Sequence, residues 1–152
     1  MPRNDERIII KKRTKMIEKY LMIIGSSILV LLGSLHLYYT FFTDKFMSKQ
    51  IKTFELMKQD SPILTKETTM WKAWIGFNAS HSLGAIFIGL VNIIISLECF
   101  EFYQKSCGLL LLNNLTICFF LFLAKKYWFK VPLIGVLISA FCFTIASIII
   151  WT

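Results

Sequence analysis

The run AWIGFNASHSLGAIFIGLVNIIISL, residues 73–97, holds 25 residues and not one Asp, Glu, Lys or Arg. A helix rising 1.5 Å per residue needs roughly 20 such residues to cross a hydrocarbon core of about 30 Å. Leu, Ile, Phe and Val mix here with small residues, without the sustained polar/apolar alternation that a membrane β-strand requires. In lipid every backbone N–H and C=O has to find a partner, and an α-helix provides one within a single segment. The run predicts a transmembrane helix.

Three further charge-free runs flank it, residues 20–43, 106–124 and 131–152, of 24, 19 and 22 residues. Across the 152 residues 56% are hydrophobic and 17% charged, with a mean hydropathy of +0.63, which is more apolar than an ordinary soluble domain of this size. The predicted fold is all-α, a four-helix transmembrane bundle over residues 20–152 behind a basic tail at 1–19. The first run is too long for the apolar core of a signal peptide. Tyr38, Tyr39, Thr40, Phe41 and Phe42 also lack the small-residue pattern of a cleavage site, so the run is expected to stay as an anchor.

The tail carries seven Lys/Arg against Asp5, Glu6 and Glu18, a net charge of +4. Charge without aromatic interleaving or a binding motif does not specify nucleic acid, which is excluded as a partner. The tail is expected to touch anionic lipid headgroups and to help set orientation. Four crossings put both ends on one side, where eight Lys/Arg lie, against nine on the other side. Because the dense cluster before the first span usually dominates this near tie, the termini are expected in the cytoplasm.

The longest connection is residues 44–72. Met47, Ile51 and Phe54 fall at i, i+4 and i+7 there, with Lys45, Lys49, Lys52 and Lys58 around them, which predicts a short interfacial helix between the first and second spans. Asp60, Ser61 and Pro62 should end it, since proline disfavours helix at the residue before it; a fresh helix start is expected after the turn. Aromatic residues frame the spans: Tyr38, Tyr39, Phe41, Phe42, Trp71, Trp74, Tyr127 and Trp128 at one face, Tyr20, Tyr103 and Trp151 at the other. Cys99, Cys107, Cys118 and Cys142 show no zinc spacing and are expected to behave as buried, small apolar residues.

Polar residues inside a span ask for a partner or a purpose. His36 lies seven residues before the end of the first run and His81 eight after the start of the second. Both therefore sit about 11–12 Å below one membrane surface by helical rise. Gly33 and Gly84 each lie three residues from a histidine, one turn deeper, and predict a recess beneath both rings, lined also by Thr40 and Asn78. Gly76, Ser80, Gly84, Ala85 and Gly89 read as a small-residue stripe for close helix packing. Asn92, Asn113 and Asn114 are expected to form interhelical amide hydrogen bonds and are assigned no chemistry. None of the runs contains a carboxylate or a cation, so an ion pump or proton relay lacks its usual parts.

Two readings of the histidines follow. In the first, the imidazoles bond across the helix interface and the chain is a non-enzymatic structural or accessory membrane protein, possessing an oligomeric or membrane-protein partner of unspecified kind. In the second, His36 and His81 bind a small ligand or cofactor: haem, quinone or lipid. Bis-histidine haem needs the two helices set apart as on a bundle diagonal, since neighbours at about 8–10 Å leave too little room. No metal site is expected. Small-solute transport ranks third, without intramembrane charges or inverted repeats.

The segment from Gly33 through His36 to Thr40, with Thr69 and Trp71 before the second span and Trp74, Asn78, Ser80, His81 and Gly84 in it, resembles a family of small four-span bacterial membrane proteins without assigned biochemical function. The resemblance covers the first half of the chain. It implies a four-helix membrane fold in a bacterial inner membrane and a signature centred on His36, Asn78 and His81; it implies no substrate.

Overall fold

The computed structural model describes residues 4–151, with side chains described from residue 16 to 151. Every regular element among them is helical. In chain order these are α1 (Asn4–Phe42), a 3-10 turn (Asp44–Phe46), α2 (Ile51–Gln59), α3 (Met70–Glu98), α4 (Glu101–Lys105), α5 (Cys107–Tyr127) and α6 (Lys130–Trp151). Four stretches are long and apolar enough to cross a bilayer: Met16–Phe42, Met70–Glu98, Cys107–Tyr127 and Lys130–Trp151. The chain is an all-helical membrane protein with a short helix, α2, between its first two spans.

Local chemistry sets the helix ends. Thr69 Oγ1 accepts from Lys72 N at 3.3 Å at the start of α3, and Ser106 Oγ accepts from Leu109 N at 3.3 Å at the start of α5. Both satisfy amides that have no intrahelical partner. Lys125 and Lys126 close the last turn of α5, where the helix dipole favours cations. Pro132 falls in the first turn of α6, a place where its missing N–H costs nothing. The interfacial helix starts later than the apolar spacing predicts, at Ile51, because Ser48 Oγ accepts from Gln50 N at 3.3 Å and turns the chain before it. It stops as predicted, at Asp60 in extended conformation. No helix restarts at Pro62; the fresh start comes only at Met70.

The helix α1 runs on through residue 20 without a break, and on it Glu18 is 5% exposed. Glu18 shares a buried face with Met22 one turn on. The side chains of the basic tail up to residue 15 lie outside the described residues.

Backbone contacts divide the chain into two compact units, residues 1–30 with 87–152, and residues 31–86. In the first, Ser26, Gly89 and Val30 meet: a Cβ on Gly89 would lie 2.8 Å from Ser26 O. Ser26 itself turns its hydroxyl back to Met22 O at 2.6 Å, hiding its polarity. Ser139 Oγ donates to Gly25 O at 2.8 Å, tying α6 to α1. In the second unit, Gly33 presses on Ser82 O in the same way, and Ser82 donates back to Asn78 O at 2.8 Å.

Only part of the expected small-residue stripe is in contact. Ala85 and Gly89 are buried, together with Ser82, but a Cβ on Gly76 or on Gly84 would meet nothing within 4 Å. The buried positions of α3, Ser82, Ala85, Gly89, Asn92 and Ser96, recur at alternating steps of three and four, and Met22, Ser26, Leu29 and Gly33 of α1 follow the same spacing. Such spacing keeps a narrow stripe on one face of a helix. A step of four alone drifts off such a face, which is why Gly76, Ser80 and Gly84 do not follow it.

Candidate functional site

Unit 31–86 brings His36, Asn78 and His81 together, as the equal depths predict. The Asn78 amide nitrogen donates to Trp74 O at 2.7 Å, one turn back on its own helix. That fixes the amide so that Oδ1 faces α1, 2.8 Å from His36 Nε2. Oδ1 can only accept, so His36 Nε2 carries the proton and donates. The His36 and His81 rings stand edge to face, centroids 5.8 Å apart and planes at 75°. Thr40 does not bond either imidazole; its hydroxyl donates to His36 O at 2.8 Å, within its own helix.

Above His36 lies a residue that the sequence reading did not single out. Phe46, at the end of the 3-10 turn, sets its ring 4.5 Å from that of His36, and its carbonyl oxygen accepts from Trp74 Nε1 at 3.3 Å. Thr43 makes this turn: its hydroxyl donates to Tyr39 O at 3.0 Å and accepts from Lys45 N at 3.3 Å. Lys45 then lays its ammonium 3.9 Å over the Tyr39 ring, a cation–π contact. The aromatic residues at this end do more than mark an interface, for Trp74 ties the connection to α3 at the level of the histidine pair. The signal in sequence was the closeness of Phe46 to the end of the first span.

The expected recess does not form. Gly33 is filled by Ser82 O at 2.9 Å and the Ile86 side chain at 2.9 Å, while Gly84 points away from that contact. Backbones that touch one turn below the rings also leave no width for a porphyrin between them, so two axial histidines about one haem do not fit this geometry. Among the described residues no three His, Cys, Asp or Glu side chains gather as a metal site.

The second polar cluster lies in the other unit. Asn92 and Asn113 exchange amides, Asn113 Nδ2 to Asn92 Oδ1 at 2.7 Å and Asn92 Nδ2 to Asn113 Oδ1 at 3.1 Å. Asn92 Nδ2 also donates to Ile88 O at 2.9 Å, and the Tyr103 hydroxyl donates to Asn92 Oδ1. Tyr103 is fully buried on α4 and is no interfacial belt residue. Burial pushes its phenol above the ordinary value of 10.0, because the charged form loses its water. Asn114 Nδ2 donates to Ser147 Oγ at 2.7 Å and its Oδ1 accepts from Thr144 Oγ1 at 3.3 Å. The amides join helices, as expected. Of the thiols only Cys142 is buried; Cys99, Cys107 and Cys118 are exposed, and all four are free.

Compared with known proteins, the chain matches no family model, no curated protein and no solved structure.

Proposed function

We propose that the chain is a structural or accessory membrane protein whose polar signature fixes its helices and performs no catalysis. The observation that carries this reading is the 2.8 Å bond from His36 Nε2 to Asn78 Oδ1, made with an amide already anchored on Trp74 O. Both Asn78 amide atoms and His36 Nε2 find their partners in the protein, which in an apolar medium is how a side chain secures a helix contact. Phe46 then closes the outer side of the pair. The resemblance to small four-span bacterial proteins agrees with such a role and with an inner-membrane location.

The test is a double-mutant cycle in detergent. His36→Ala and Asn78→Ala are expected to destabilise by about 1 kcal/mol each, and the double variant by clearly less than the sum, because each single change strands the other partner. His81→Ala, which contributes a ring edge to His36, is expected to couple more weakly. Additive losses for His36 and Asn78 would overturn the proposed lock.

A second reading has its own observation. Both imidazoles are half-buried with centroids 5.8 Å apart, and the His36 ring is covered by Phe46, a side chain of a three-residue turn. A quinone or lipid headgroup that displaced Phe46 would meet them. Solvent extraction of the purified protein followed by mass spectrometry tests it: a stoichiometric quinone or lipid lost in His81→Ala would favour ligand binding over the lock. Small-solute transport remains third.

A further inference from the structure

We propose that the turn bearing Ile63 and Leu64 inserts into the headgroup–acyl boundary of the leaflet at which α1 ends and α3 begins. The proposal stands apart from the roles of His36 and His81. Ile63 is 108% exposed and Leu64 93%, two large apolar side chains in succession with nothing of the chain against them. Turn tips in water carry polar residues or glycine. Thr65 N donates to Pro62 O at 3.2 Å, so Ile63 and Leu64 are the two central residues of the turn and its outermost point.

What they meet follows from where the loop is tied. Met70 N donates to Asp60 O at 2.8 Å, so residues 60–70 form a closed loop whose neck is the first residue of α3. That residue also opens the apolar stretch Met70–Glu98, which puts the neck at the membrane surface. From Asp60 to Ile63 the chain reaches at most about 10 Å, the depth of the interfacial layer itself. The connection is held down on both sides: Phe54 of α2 meets Trp71 edge to face at 4.9 Å, and Trp74 holds Phe46 O. The tip cannot drift far from the leaflet.

Charge does not draw it there. Residues 43–69 carry five lysines against four carboxylates and are close to neutral, so insertion rests on apolar area and is indifferent to anionic lipid. Nor does a second copy of the chain fit as the occupant. A stable interface takes about 800 Å² from each partner, and two side chains flanked by Ser61, Thr65 and Lys66 offer a small part of that.

The experiment places a fluorophore on Leu64→Cys, and separately on Lys58→Cys, in a chain whose Cys99, Cys107 and Cys118 are replaced by serine. Each is reconstituted at one copy per nanodisc, and the serine background alone, retaining buried Cys142, measures stray labelling. The label at position 64 is expected to be quenched several-fold more by lipids bearing a nitroxide on the acyl chain than the label at 58, and several-fold less by aqueous iodide. Neutral and anionic nanodiscs should give the same pattern. Iodide quenching at 64 as strong as that of the free dye, with no quenching from the acyl chain, would overturn the proposal, as the tip would then lie in water. Shielding from both quenchers would overturn it too, because protein rather than lipid would cover the turn.

Discussion

A Cβ on Gly33 would come within 2.9 Å of the Ser82 carbonyl oxygen, whereas one on Gly84 would touch nothing within 4 Å. The two glycines look equivalent in sequence, each three residues from a histidine, and differ because one looks inward along the seam and the other outward. Gly33→Leu should therefore force two backbones apart and lower stability by about 1–3 kcal/mol, while Gly84→Leu should stay within about 0.5 kcal/mol of the parent. Melting of both variants in the same detergent decides it; equal losses would mean that Gly84 is packed after all. Tyr103 gives a second test. Its folded-state phenol is raised above the ordinary 10.0, so its contribution is intact below that pH and is lost as pH climbs from about 10 towards the raised value. Tyr103→Phe should cost about 1 kcal/mol at neutral pH through the lost bond to Asn92 and should blunt the alkaline decline in melting temperature. Position along a helix is legible from run lengths, and the His36 and His81 rings do meet, with centroids 5.8 Å apart. Azimuth is not, since an error of one position is about 100° and decides whether a glycine lines a contact or faces lipid.

Elements were legible where chemistry changes abruptly along the chain. The three later spans follow the charge-free runs to within a few residues, because charges at helix ends sit where water begins. The helix that carries the first run extends beyond it, with Glu18 buried on it. The helix α4 was missed: five residues carry no periodicity to read, and Tyr103, set among Glu101 and Lys105, resembled a belt residue. Its burial depends on Asn92 and Asn113 of the neighbouring helices, contacts between residues distant in sequence. These amides should be unequal in weight. Asn92 serves Asn113, Tyr103 and Ile88, so Asn92→Leu strands both a carboxamide and a phenol and is expected to cost about 1–3 kcal/mol. Asn113→Leu leaves Asn92 with Tyr103 and Ile88 and should cost less. Chemical unfolding of the two variants orders them, and an Asn113 loss exceeding that of Asn92 would place the centre of the network elsewhere.

For the whole molecule, the number of crossings governs sidedness. Four stretches long and apolar enough to span return the chain to the side from which it started. A reporter fused after Thr152 and one inserted between residues 43 and 69 are therefore expected on opposite sides, with the C-terminal one cytoplasmic; the same side for both would break the four-span reading. Which side is which depends on a close balance of eight Lys/Arg with the termini against nine opposite. The balance is tipped by position rather than by number, since the cluster at Lys11, Lys12, Arg13 and Lys15 immediately precedes the first span and such clusters resist translocation. That argument makes the tail, and no other cation, the determinant. Changing those four to glutamine leaves four Lys/Arg with the termini against an unchanged nine, and is expected to invert the reporters in a substantial part of the population. The same number of glutamines at Lys45, Lys49, Lys52 and Lys58 should leave the parent orientation in place, because it removes charge from the side already translocated. If the tail variant keeps its orientation, the first cluster does not command insertion. Lys125, Lys126 and Lys130 would then be next to test, since they lie on the side opposite the termini and favour the reverse arrangement.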